Sequence, residues 1–257
     1  MYWRDLSSSK LDAIDRRAPV LLPLASTEQH GPHLPVSTDA IINEHFCAEI
    51  DKRIGDGVLI LPAVSVGCSA HHMDFAGTLT VSHATFERYV MDVLFAAAEQ
   101  GFVNFMLFNS HGGNQSVGQV VVERFGNARC DLNIVLATWW QIASDRLKEI
   151  CRSFGSVGHA GQFETSLIQH IAPELVDADK IAPQPKNPTF DWAEADMLHG
   201  SKAYLYRSLR DISQAGVDGS PQFASPDQAV LITEAVVDAA VGIIEDLRRP
   251  GNSPARQ

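Results

Sequence analysis

Cysteine is scarce in this chain and no two are closely spaced. Cys47, Cys68, Cys130 and Cys151 form no C-x-x-C pair, which excludes a zinc ribbon and a dense disulfide framework and leaves buried free thiols as the expectation. Positive charge is also short: 20 Lys and Arg face 31 Asp and Glu, a formal net charge of −11. Such a surface repels polyanions, so nucleic acid is not expected as a partner. No apolar run approaches a membrane span, and the first twenty residues, MYWRDLSSSKLDAIDRRAPV, carry charge throughout without the apolar core of a signal peptide. A cytoplasmic protein with no membrane partner is the expectation. There is no G-x-S-x-G elbow, which counts against a serine hydrolase, and no Lys-Ser/Thr follows the glycines of NSHGGN, which counts against a phosphate loop. No Gly/Ser linker or composition break divides the chain, so residues 1–257 are expected to form one domain, with a disordered tail from about residue 250.

What the sequence does have is a regular alternation. Val20–Leu24 reads as a buried strand, Val58–Val66 as a second, FVNFMLFN as a third and NIVLATW, residues 133 to 139, as a fourth. Between them lie helices. One spans residues 40 to 54; one is capped by Ser82 and ended by Gly101; a third carries Val117, Val121 and Phe125 in register. A helical stretch to about Arg152, a helix containing Glu164 and a last helix opened by Ser225 and Pro226 follow. The Pro- and Gly-rich stretch from Pro183 to Ser225 is long enough to act as a lid or a subunit contact. Strands alternating with helices predict an α/β fold, a mostly parallel sheet with helices on both faces, whose sites lie beyond the carboxyl ends of the strands. Four polar clusters, at 28–39, 67–74, 109–114 and 159–164, each follow a strand or open a helix. They are expected to converge on one rim.

Glu28 and His30 are two apart, so in an extended segment their side chains leave on the same side and could share a metal. Asp39 is placed at the N-cap of the next helix, and its two oxygens make it a candidate bridge between two ions of the zinc or manganese type. The alternative is an ordinary cap beside surface histidines. His111 sits where a strand turns into a helix, and Gly112 and Gly113 behind it let backbone N–H groups approach a substrate; a Gly-rich turn with a structural histidine is the plainer reading. His159 and Glu164, five apart, could supply a free imidazole for proton transfer and a carboxylate ligand. As a mere charge at a helix N-terminus, Glu164 would contribute about 0.3 to 1 kcal/mol. Of the adjacent His71 and His72, only one is expected to enter a shared site, for loop packing or substrate contact rather than metal binding. Trp139 and Trp140 could wall a pocket or pack in the core. His33, His45, His83, His170 and His199 read as structural or exposed.

In order, STEQHGPHLPVSTD, GCSAHHMDFAGTLT, NSHGGN, HAGQFETS and GVDGSP resemble the motif series of the creatininase (creatinine amidohydrolase) family, over roughly residues 15 to 245. The resemblance implies a three-layer α/β sandwich, two divalent ions, Zn2+ and/or Mn2+, and hydrolysis of a C–N bond in a small cyclic amide or formamide. It implies a homo-oligomer, commonly a hexamer. Carried onto matching positions, Glu28, His30, Asp39, His111 and Glu164 are the expected metal ligands, with Asp39 bridging. His159 is the expected proton carrier, and Gly112, Gly113, His72 and Trp139 the expected substrate contacts. Creatinine-cleaving members have an aromatic residue and a glutamate directly after the motif histidine, where this chain has Gly112 and Gly113. That points away from creatinine and towards members that deformylate pyrimidine intermediates, trim a peptide-derived redox cofactor or open an oxidised inositol. Ser220 stands where GVDGSP-type motifs often have an acid.

Overall fold

Val20–Leu24 is apolar at every position because it lies between two cores, and all five residues are buried in the computed structural model, which describes residues 1–151 and 157–249. This strand is β1. With β2 (Leu59–Ile60), β3 (Asn104–Asn109) and β4 (Asn133–Thr138) it forms a sheet of order β2-β1-β3-β4 in which every pair is parallel. The helices are α1 (Ser8–Asp12), α2 (Thr38–Ile54), α3 (His83–Glu99), α4 (Gln115–Ala128), α5 (Trp139–Ile142), α6 (Ser144–Ile150), α7 (Gln162–Ile171), α8 (Leu209–Ile212) and α9 (Pro226–Arg248). Successive strand residues face opposite sides of the sheet. Leu21, Met106 and Phe108 therefore join a core built with α2, α7 and α9, while Val20, Leu22, Phe105 and Leu107 join one built with α3 and α4. The result is the three-layer sandwich that the alternation predicts.

The caps follow the chemistry of their residues. Ser82 accepts from Thr85 N–H and Ser225 from Gln228 N–H, and Gly101 leaves α3 at φ +95°. Three expectations need correction. The second strand is much shorter than Val58–Val66: pairing stops at Ile60, Pro62 brings no N–H, and the chain touches β1 again through a bridge from Val64 to Leu24. The helical stretch after β4 is two pieces, separated at Ala143; its expected end at Arg152 lies outside the described residues, as does the tail from 250. Asp39 is not the N-cap of α2. Ser37 holds that position, and Asp39 sits in the first turn, which frees its carboxylate for other partners.

Buried asparagines tie the carboxyl ends of the strands together. Asn43 Nδ2 donates to the carbonyls of Leu24 and Phe108, and Asn114 Nδ2 donates to that of Ala25. Asn109 Nδ2 donates to the carbonyl of His111. Among the described residues no helix is long and apolar enough to cross a membrane.

Candidate metal centre

All the polar clusters meet at this rim. β1 runs into Ser26–His30, β3 runs into Ser110 and His111, the first turn of α2 supplies Asp39, and the first turn of α7 supplies Glu164. His159 comes from the loop before α7. Asp39 stands in the middle: its Oδ1 lies 3.4 Å from His30 Nε2 and its Oδ2 lies 3.3 Å from His111 Nδ1. Glu28 Oε1 is 3.2 Å from His111 Nδ1 on one side, and Glu164 Oε2 is 3.8 Å from His30 Nε2 on the other. Glu28, Asp39 and His111 form one group whose ligand-type atoms lie within 4.8 Å of one another, and His30, His159 and Glu164 form a second.

Glu28, His30, Asp39, His111 and Glu164 are each no more than 3% exposed, so three carboxylates are withdrawn from water. Burial raises the Glu164 carboxyl above the usual range, in spite of His30 beside it. At Glu28 burial pushes upward too, but His111, His72 and His159 outweigh it and hold the carboxyl well below its ordinary value. The histidines respond in the opposite sense. Burial opposes the charge on His30 and His111, yet Asp39 and Glu164 raise His30 well above its ordinary value, and Glu28 with Asp39 pushes His111 up to about 10. A group of this charge wants a cation between imidazole and carboxylate, and a proton takes that place when no other is bound.

The donor set fits a metal better than it fits protons. His30 Nδ1–H donates to the Glu28 carbonyl at 3.0 Å and His111 Nε2–H donates to the Cys68 carbonyl at 3.1 Å, so each ring turns its other nitrogen to the carboxylates. Such outer hydrogen bonds are what hold metal-binding imidazoles in place. His30 Nε2 and Asp39 Oδ2 are fully buried and make no well-formed hydrogen bond, the loose spacing of groups that a cation would draw together.

A cavity of about 230 Å³ opens beside these groups, bordered by Gly112, His159, Trp140 and, from the long 183–224 stretch, Met197, Leu209 and Ile212. A family model described as Creatininase: Creatinine amidohydrolase matches residues 4–244. The chain belongs to the creatininase family. Its relatives include a mycofactocin precursor peptide peptidase of Mycobacterium ulcerans, 29% identical over 88% of this chain and 84% of that protein. A creatinine amidohydrolase of Pseudomonas putida is 27% identical over 65% of this chain and 69% of that protein. A manganese creatininase structure superposes with a TM-score of 0.80 at 24% identity, covering 97% of this chain and 99% of the other. With its family, the chain is a metal-dependent hydrolase.

Within this creatininase fold the expected substrate contacts separate. Gly112 borders the cavity. Gly113 instead packs on protein: a Cβ there would lie 2.1 Å from the Cys68 carbonyl oxygen and 2.5 Å from His111 Nε2, so the glutamate of creatinine-cleaving members does not fit on this backbone. Trp139 is displaced from the expected pocket wall. It is wholly buried against Phe46 and Phe163, because the chain leaves β4 at Thr138 and turns its next side chain under the sheet; Trp140 takes the cavity. His71 and His72 both border the cavity, since Ala70–His72 is a 3-10 turn and not extended. His72 Nε2 reaches Glu28 Oε1 at 3.2 Å. His33 is buried and bonded to Thr165 Oγ1. Sequence reasoning passed over Ser26, which donates to Glu28 Oε2, and Gln29, although both lie inside the STEQHG motif.

Proposed function

We propose that this creatininase-family protein hydrolyses the C–N bond of an amide at a pair of divalent cations, Zn2+ and/or Mn2+. One observation carries the reading: the two oxygens of a single buried carboxylate, Asp39, face two different imidazoles, His30 and His111. Glu28, Asp39 and His111 would hold one ion, and His30, Asp39 and Glu164 the other. When bound, such a pair supplies hydroxide at neutral pH and polarises the carbonyl to be attacked.

The chain's own groups do the rest. His159 Nε2–H donates to the Gln29 carbonyl at 2.7 Å, which leaves Nδ1 as a bare lone pair turned towards the centre. Burial and the charge of His30 lower this imidazole to about 3, so it rests neutral. It must therefore act first as a base, taking a proton from the nucleophile, and then as an acid, handing that proton to the leaving nitrogen. Gly112, at the cavity wall, is the backbone donor we assign to the developing oxyanion. Trp140, Met197, Leu209 and Ile212 give the cavity an apolar side, with Gln115, Asp196 and Asp218 also on its wall. The cavity is on the scale of a small cyclic amide or a formamide, and the relatives named an amidohydrolase and a peptidase support C–N cleavage.

The test is a panel of small cyclic amides and formamides assayed with metal-replete, chelated and reconstituted protein. Turnover should vanish on chelation while the far-UV spectrum persists, and return with Zn2+ or Mn2+. Turnover that survives complete metal removal would refute the proposal.

A further inference from the structure

The loop GVDGSP, residues 216 to 221, is not among the ligands proposed for the centre, yet it closes on a buried amide beside it, Gln29. Gln29 is 5% exposed and its orientation is fixed from two sides. Gly31 N–H donates to Gln29 Oε1 at 2.9 Å, and Gln29 Nε2 donates to the Gly216 carbonyl at 3.1 Å. Turning the amide over would set donor against donor at Gly31 and acceptor against acceptor at Gly216, so only one orientation is satisfied. Gly216 is required for this seat. Its φ is +70°, and a Cβ there would lie 2.3 Å from Gln29 Oε1.

The second hydrogen of the amide is then committed. Gln29 Nε2 lies 3.1 Å from His72 Nδ1 and 3.1 Å from His159 Nε2. His159 Nε2 already donates to the backbone carbonyl of Gln29, so it has no lone pair to offer, and His72 Nδ1 is the remaining acceptor. A neutral imidazole that accepts at Nδ1 carries its proton on Nε2. That nitrogen is the one 3.2 Å from Glu28 Oε1.

We infer that Gln29, seated by Gly216, is a positioning residue that locks His72 as its Nε2–H tautomer, so that His72 donates to Glu28 and is not a metal ligand. The group of Glu28, His72 and His159, whose atoms also lie close enough to hold an ion, is on this account not a third metal site. One residue sets the same Nε2–H tautomer in two rings: its side-chain amide donates to His72 Nδ1, which turns the His72 Nε2–H to Glu28, and its backbone carbonyl takes the His159 Nε2–H, which leaves His159 Nδ1 bare. The functional weight of the inference rests on the two-metal reading above, but the tautomer itself does not.

The experiment is long-range 1H–15N correlation on protein labelled at histidine, metal-free and loaded with Zn2+, together with a metal titration against a competing chelator. The wild-type spectrum should show His72 protonated on Nε2 in both states. Gln29→Glu, whose carboxylate accepts where the amide donated, should move the proton to Nδ1. Its affinity for the first ion should fall by about 10- to 100-fold, the range for loss of a ligand's outer hydrogen bond. Gln29→Met should leave a mixture of tautomers. Wild-type His72 protonated on Nδ1, or its Nε2 coordinated in the Zn2+ form, would overturn the inference, as would a Gln29→Glu variant unchanged in both tautomer and affinity. If the variants do not fold, the wild-type spectrum alone decides. Neither readout needs turnover, so a protein that hydrolyses nothing leaves the tautomer lock standing, and a failed lock leaves the hydrolase reading standing.

Discussion

Replacing Gly113 with alanine adds a single methyl group at a glycine packed tightly against the centre. The new Cβ would sit 2.1 Å from the Cys68 carbonyl oxygen, 2.5 Å from His111 Nε2 and 2.9 Å from His71 Cε1. Ordinary carbon contacts need about 3.5 Å, so the Cys68 carbonyl oxygen must retreat by about 1.4 Å and His111 Nε2 by about 1 Å. The wedge falls on both ends of the hydrogen bond from His111 Nε2–H to the Cys68 carbonyl, the bond that turns His111 Nδ1 towards Glu28 and Asp39. Overpacking of this kind costs about 1 to 3 kcal/mol, and loss of the outer bond of a ligand costs about 10- to 100-fold in metal affinity. Gly112→Ala is the control, because nothing lies within 4 Å of a Cβ there. Metal titration with a competing chelator and thermal melts should show Gly113→Ala weakened in both and Gly112→Ala unchanged in both. A Gly113→Ala protein that binds metal and melts like wild type would refute the claim that this contact positions His111.

Two further predictions concern the division of labour. Asp39→Ala should lose both ions and nearly all turnover, whereas His159→Ala should keep the ions, counted by elemental analysis, and lose turnover. Full occupancy in the first variant would remove Asp39 as the bridge, and lost occupancy in the second would make His159 a ligand. A pH prediction follows from His111, whose value rises from 6.5 to about 10 in the metal-free fold through Glu28 and Asp39, against the effect of burial. A raised value means that its contribution to stability is complete below 6.5 and is lost as pH climbs through about 10. Metal binding must displace that proton, so affinity should strengthen across the same window, with proton release detectable in unbuffered titrations. Metal-free melting temperatures that do not fall between about pH 7 and about pH 10 would contradict this.

Much of this centre was legible in the sequence because its groups sit where the backbone pattern changes. An apolar run that ends in Glu28 and His30, another that ends in His111, and a helix start that carries Glu164 can all be seen without coordinates. What could not be seen depends on local turns. The adjacency of His71 and His72 suggests opposite faces only if the chain is extended, and a 3-10 turn reverses that conclusion. Trp139 and Trp140 differ by one residue, but the strand ends between Thr138 and Trp139, so the period that assigns faces changes there. Gly113 offers the same symbol as Gly112 in the sequence, yet one faces open space and the other a carbonyl oxygen. Gln29 gave no signal of its own, since its role requires Gly216, some 190 residues further along the chain.

The helix starts also explain how the fold carries so much buried negative charge. Asp39 lies in the first turn of α2 and Glu164 in the first turn of α7, and each helix end supplies roughly half a positive charge. Three carboxylates against two helix ends leave about two units of negative charge. Protons on His30 and His111 cancel that remainder, which is why the metal-free fold favours them there. On the two-ion reading proposed above, two divalent ions in their place would overshoot by about two units, so the same scaffold would pass from neutral to positive on loading. A positive, water-poor centre would stabilise an anionic nucleophile and a developing oxyanion, and it would keep His159 neutral until the nucleophile gives up its proton. The resting neutrality of His159 therefore belongs to the mechanism: an imidazole already protonated in this position would repel the loaded centre and would have no lone pair with which to begin.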